Sequence, residues 1–253
     1  MGNHAKHPVK TTMKTLELID TLKELESARV SELADHVEMG KSAVHNHLST
    51  LEEYEYVTKS EEEYSLGLRF LDLGGHVRNR MKLYKVAEPE IESLATETSE
   101  LVNLAVEDHG HCVYLYRSKG TQAVKLDTYS GLRTAMHNTA LGKSMLAHLP
   151  EYRVEKILDE PLTAETSNSI TDPEEIRTQL AEIRERGYAL DNEERLEGLR
   201  CVAAPIQNSD ESVIGAISVS GPTSRMKGER LENEIPELVS SAANVIQLNI
   251  THS

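Results

Sequence analysis

The sequence predicts an α+β fold in two unequal parts: a small helical N-terminal unit closed by a hairpin, and a larger unit of helices around a central antiparallel sheet. Three observations carry this prediction. The length, 253 residues, exceeds what one small core requires and suits a small domain joined to a medium one. Helical periodicity dominates the first 53 residues, whereas most strand-like runs lie beyond Tyr56. Charge is uneven as well: residues 1–80 carry 10 Lys/Arg against 14 Asp/Glu, and residues 81–253 carry 17 against 28.

The net charge of -15 opposes phosphate binding by bulk electrostatics. Two segments of the first part are nevertheless kept clear of carboxylates. Residues 1–15 contain Lys6, Lys10 and Lys14 with no acid, and residues 39–51 contain Lys41 with no acid. Those are the segments able to approach a polyanion. Dense carboxylates, one phenylalanine and no tryptophan point to a halophilic host with high internal salt. No apolar run approaches the roughly 18–20 residues of a membrane span, and MGNHAKHPVKTT lacks the apolar stretch of a signal peptide. A cytoplasmic protein without a membrane partner is therefore expected. Cys112 and Cys201, far apart and outside any CxxC spacing, encode neither a disulfide framework nor a cysteine-rich zinc site.

Residues 15–26 place Leu18, Leu22 and Leu25 on one helical stripe. Residues 28–30 suit a very short strand. Ser31 is then the expected N-cap of a short helix with Leu33, Ala34 and Val37 as its apolar face. Gly40 is the expected permissive residue of the following turn. In GKSAVHNHLSTLEEYEYV, residues 40–57, a projection at 100° per residue buries Val44, Leu48 and Leu51. Ser42, Asn46, Ser49 and Thr50 then point outward, flanked by Lys41 and His45. His45 and His47 project roughly 160° apart on a helix and cannot share a metal. Residues 56–60 and 64–66, separated by Glu61-Glu62-Glu63, form a hairpin wing. Helix, helix, tight turn, helix and hairpin fit a winged helix-turn-helix, whose third helix is expected to enter the major groove of double-stranded promoter DNA; a small helical domain that binds another protein fits the same pattern. Lys41, Ser42, His45, Asn46 and Ser49 are its expected contacts, with Lys10 and Lys14 in an N-terminal arm and Lys59 in the wing on phosphate.

The expected division is 1–67 for DNA binding, 68–84 for a linker helix and 85–253 for the larger domain. The linker carries Leu68, Leu71 and Leu73, more apolar surface than a solvated connector needs, and is expected to pack on a second subunit. Beyond Pro89 the pattern predicts a helix at 91–98, strands at 101–107 and 112–117 around the turn Asp108-His109-Gly110-His111, and a strand at 124–128. Asp172-Pro173-Glu174-Glu175 has cap, first-turn proline and an acid three residues on. Residues 201–206 and 213–220 suit central strands, and residues 228–250 a closing helix.

Five blocks of the chain carry a resemblance. HNTALGKSMLAHLP at 137–150, GYALDNEERLEGLRCVAAPI at 187–206 and IGAISVSGPTSR at 214–225, with SELADHVEMGKSAVHNHLSTLEE and YSLGLRFLDLG, resemble the IclR family of transcriptional regulators nearly end to end. The resemblance implies a dimerising linker helix, a homodimer or dimer of dimers (homotetramer), and a GAF-like C-terminal domain that binds a small effector, an organic acid or related metabolite. Carried over position by position, it implicates Ala140, Leu141, Gly142, Asp191, Cys201, Ser218 and Ser220, with Leu126 and Met136 on a looser alignment. The chemistry is compatible. Gly142 opens a helix whose free N–H groups favour a carboxylate. Ser218 and Ser220 share a strand face, and Asp191 can accept from a ligand hydroxyl. Cys201 can equally be a packed small hydrophobe, and bulky Leu141 shrinks the pocket relative to chains with a small residue there.

An enzyme is not expected, and neither is a cofactor: LGKS at 141–144 lacks the glycine-rich loop of a phosphate site, and no nucleophile–base pattern stands out. The competing reading is a metal-responsive regulator using His109, His111 and Cys112 on one hairpin turn.

Overall fold

The computed structural model describes residues 6–126 and 128–252. The chain separates into two compact units, with Val77 closing the first and Arg78 opening the second.

In the first unit, helix α1 (Lys10–Leu25), strand β1 (Ala28–Arg29), helix α2 (Val30–His36), helix α3 (Lys41–Glu53) and strands β2 (Val57–Ser60) and β3 (Glu63–Leu66) follow in order. The core joins Leu18 and Leu22 of α1, Leu33, Ala34 and Val37 around α2, Val44, Leu48 and Leu51 of α3, and Val57 and Tyr64 of the wing. The wing is antiparallel, with β3 between β1 and β2 and Ser60 opposite Glu63 across the turn.

Several local expectations are corrected. Helix α1 starts at Lys10, so Lys10 and Lys14 lie on a helix and not in an arm. Leu25, in its last turn, is exposed. Helix α2 begins at Val30, and its start is closed by Glu32 Oε2 accepting from the Arg29 N–H at 2.8 Å, which leaves Ser31 inside the helix. Gly40 has φ -65°, and the left-handed residue of the α2–α3 turn is Glu38 at φ 51°. At Glu55 the backbone is again left-handed (φ 65°), a conformation that favours glycine. Gly67 is required for space: a Cβ there would lie 2.4 Å from the Glu55 carbonyl oxygen.

Helix α4 (Arg69–Asn79) buries none of its residues, although Phe70 meets Tyr56 edge-on at 5.2 Å between ring centroids. Helix α5 (Lys82–Thr98) starts before Pro89 and runs through it, longer than the stretch expected at 91–98. Strands β4 (Leu101–Asp108), β5 (His111–Lys119) and β6 (Arg133–Thr134) follow, then helices α6 (Ala140–Leu146), α7 (Glu151–Leu158) and α8 (Pro173–Arg186). Strands β7 (Ala189–Asn192), β8 (Leu199–Gln207) and β9 (Val213–Pro222) complete an antiparallel sheet of order β6-β5-β4-β9-β8-β7. A π-helical turn, Arg230–Glu234, leads into helix α9 (Ile235–His252). Val124–Leu126 and Thr128 are not in a strand, contrary to expectation, and Asp127 lies outside the described residues.

Strand alternation divides the sheet into two faces. Val102, Leu104, Val202, Ile217 and Val219 face a core filled from α5 and α9 by residues such as Ile91, Val239 and Ile246. Ala105, Cys112, Tyr114, Ala203 and Ala216 face a second core with Leu146, Ile157 and Ile183 from α6, α7 and α8. The polar residues of interest fall on this second face.

Candidate functional site

Helix α3 presents Lys41, Ser42, His45, Asn46 and Ser49 to solvent, opposite the buried Val44, Leu48 and Leu51. His47 belongs to the inner side: its Nδ1 lies 2.8 Å from Thr15 Oγ1, tying α3 to α1. Lys59 is exposed on β2 with its ammonium 5.3 Å from the Tyr64 ring centroid, and Lys10 is exposed at the start of α1. Lys14 does not join them. Its Nζ donates to Glu17 Oε2 (2.7 Å) and to the Val37 carbonyl (2.9 Å), a cation placed on the free carbonyl at the C-terminal end of α2.

In the second unit the strand register builds a polar row. Asp191 pairs with Cys201, Cys201 with Ser220, and Asn103 with the neighbouring Ser218. These five side chains floor a cavity whose roof is Thr139, Ala140 and Leu141 at the start of α6. Leu126 and Thr128 close one side, and Tyr114, Arg195 and Leu199 complete the wall. The space is narrow, about 10 Å³ for the centre of a water-sized body.

The structure does not bring Met136 or Gly142 to this wall. Met136 is packed in the core. A Cβ on Gly142 would lie 2.3 Å from the Met136 carbonyl oxygen, so glycine there permits close backbone approach. Its N–H is not free for a carboxylate either, because Thr139 Oγ1 accepts it at 3.0 Å.

Burial raises the Asp191 carboxyl from 3.8 to about 6, with the Glu194 charge adding to the effect and hydrogen bonds from the Glu194 and Arg195 N–H groups opposing it. Those N–H groups reach Asp191 Oδ1 at 2.8 and 3.4 Å, so the carboxylate organises the turn that follows β7. The turn is anchored a second time by Glu194, whose Oε1 accepts from Lys143 Nζ of α6 at 2.5 Å in a fully enclosed pair. Desolvation lowers the Lys143 pKa, and the nearby Glu194 charge opposes the shift. Arg195 Nη1 donates to Tyr114 Oη at 2.9 Å, with the guanidinium 5.6 Å from that ring's centroid. Burial pushes both the Cys201 thiol and the Tyr114 phenol up, which keeps them neutral.

The metal alternative fails on geometry. His109 is 85% exposed and bound to Asp108, and His111 Nδ1 lies 3.3 Å from Arg133 Nη2. Cys112 is buried on the opposite side of the strand, its thiol pushed up to about 12 by desolvation. Among the described residues no group of three His, Cys, Asp or Glu is placed to hold a metal ion.

Comparison with known proteins identifies the frame. The family description "IclR helix-turn-helix domain" matches residues 11–61, and "Bacterial transcriptional regulator IclR C-terminal" matches residues 75–248. The chain belongs to the IclR family. Among its curated relatives, "Probable HTH-type transcriptional regulator ArcR" of Halobacterium salinarum is 34% identical, over 98% of this chain and 97% of that protein. "HTH-type transcriptional regulator KdgR" of Escherichia coli is 31% identical, over 94% and 91%. The crystal structure of the Thermotoga maritima IclR is similar with a TM-score of 0.76 at 29% identity, over 95% of this chain and 98% of that one.

This IclR-family regulator thus pairs a helix-turn-helix with an effector-binding domain. Of the nine sequence-expected effector positions, Leu126, Ala140, Leu141, Asp191, Cys201, Ser218 and Ser220 line one cavity. Asn103, Tyr114, Thr128, Thr139, Arg195 and Leu199 were missed. Asn103 did leave a signal, as the one polar residue in the otherwise apolar run LVNLAV. Arg195 left none, because DNEERLEG has the composition of a solvated turn.

Proposed function

We propose that this chain is a sequence-specific regulator of a metabolic operon, held or released by a small organic acid bound in the effector domain. Residues 1–67 bind promoter DNA, residues 68–84 link, and residues 85–253 bind the effector. The observation that carries this reading is a cavity containing an arginine that, among the described residues, has no carboxylate partner. In a narrow cleft largely closed to water such a group favours an anion. On the DNA side, Lys41, Ser42, Asn46 and Ser49 contact bases or phosphate, His45 lies at their edge, and Lys10 and Lys59 contact phosphate.

The chain acts as a homodimer or dimer of dimers in the cytoplasm, without enzymatic activity, and a salt-rich host accounts for its surface charge. No helix among the described residues is long and apolar enough to cross a membrane. Switching follows from population shift: an effector that prefers one arrangement of paired subunits changes the spacing of their recognition helices. Selection of bound sequences from a random duplex pool tests this reading. Enrichment of a two-fold-symmetric or directly repeated site is expected, and recovery of unenriched DNA would overturn it.

A further inference from the structure

Among the polar groups of the effector cavity, Asn103 and Arg195 carry unused hydrogen-bonding capacity of opposite kind, an unpaired carbonyl oxygen and a guanidinium with spare donors. Asn103 is 2% exposed, and its Oδ1 has no hydrogen-bond partner although the residue lines the cavity. Its amide nitrogen reaches Ser220 Oγ only at 3.5 Å. Arg195 supplies a guanidinium with four further N–H donors beyond the one given to Tyr114. Asp191, the acidic group of the same wall, is already engaged by the N–H groups of Glu194 and Arg195 and by the Cys201 thiol. It positions Arg195 and does not need a ligand.

We infer that the cavity selects a short-chain hydroxy acid, with the carboxylate on Arg195 and the hydroxyl donating to Asn103 Oδ1. The inference rests on the cavity being the organic-acid site. A buried carbonyl oxygen left unpaired is costly, so a ligand that brings a donor is favoured over one that does not. A deoxy acid leaves Oδ1 unpaired. A keto acid sets a second acceptor against it. Two aliphatic walls, Leu126 and Leu141, suit a short carbon chain.

Size follows from the same wall. The present space accommodates a water-sized body, so a two- to four-carbon acid must displace part of the lining. The 120–131 connection, which carries Leu126 and Thr128, has no helix or strand among its described residues. A short ligand requires the smallest displacement.

The test is calorimetric titration of the full chain with glycolate, lactate and 3-hydroxybutyrate against acetate, propionate, butyrate and pyruvate. Each hydroxy acid is expected to bind at least tenfold more tightly than its deoxy counterpart, and lactate at least tenfold more tightly than pyruvate. Asn103→Leu is expected to reduce those ratios below threefold, and Arg195→Gln to weaken every acid at least tenfold. Equal affinity for hydroxy, deoxy and keto partners in the wild-type chain would overturn the role of Asn103 while leaving the organic-acid site standing. Binding of none of these acids would overturn the organic-acid site and this inference with it.

Discussion

Asp191 shows how one side chain couples the cavity to pH. Its folded-state pKa of about 6 lies above the ordinary 3.8 because burial disfavours the charge. Between about pH 4 and pH 6 the folded chain holds a proton there that the unfolded chain has released, so this group's contribution to stability falls as pH rises through the window and is flat above it. Asp191→Asn keeps an oxygen for the Glu194 and Arg195 N–H groups but cannot ionise. Its stability advantage over the wild type, measured by urea unfolding at fixed salt, should grow from near zero at pH 4 to roughly 3 kcal/mol at pH 7. Parallel pH profiles of the two proteins would contradict this assignment. On the proposed DNA-binding surface, Lys59 is an exposed point charge beside the acidic wing turn. Lys59→Ala should weaken all DNA sequences similarly and make the dependence of log K on log salt shallower by about 1 per protomer, as read by anisotropy titrations at several salt concentrations.

Between elements, the Lys143–Glu194 pair joins α6 to the turn after β7, and so joins the cavity roof to the segment that carries Arg195. Both partners are enclosed, so removal of one strands the other's charge. Glu194→Leu should cost about 3–5 kcal/mol in chemical unfolding, whereas Lys143→Met with Glu194→Leu should lie near the wild type or above it. A double variant as unstable as the single one would show that shape, not charge, is what matters there. This pair also marks the limit of what could be read without coordinates. Stripes such as Val44-Leu48-Leu51, the Asp172 cap and the runs that form the buried central strands β8 and β9 are local and legible. Lys143 reads as a solvated lysine after glycine, and its partner is 51 positions away. Asn103 and Arg195 reach one cavity through strand register and turn geometry, which no local period records. Gly142 misled because its need for space against Met136 and a role at a ligand look alike in sequence. The strand expected at 124–128 failed for the converse reason, since apolar spacing there serves the cavity wall and not a ladder.

At the scale of the whole molecule, the linker helix α4 is the feature a single chain leaves unexplained. Leu71 is 72% exposed and Val77 64%, on a helix with no buried residue. In the proposed dimer a second copy would cover them and hold two recognition helices at a fixed separation, as a repeated promoter site requires. Leu71→Glu with Val77→Glu should shift the chain to monomer in light scattering and lower its DNA affinity at least tenfold, while each folded unit keeps its circular dichroism. A variant that stays dimeric would place the interface elsewhere. The acidic surface, net -15, sets a further condition on the proposed DNA binding: selectivity is expected to come from hydrogen bonds at α3 more than from phosphate charge. In the proposed reading Asn46, exposed midway along that face, carries the most of this burden. The direct measurement is sequence selection with wild-type and Asn46→Ala chains at one salt concentration. The expected result is loss of preference at a base in each half-site, worth about 1–3 kcal/mol, with non-specific affinity unchanged. An unaltered preference and affinity in Asn46→Ala would contradict the assignment of α3 as the helix that reads DNA.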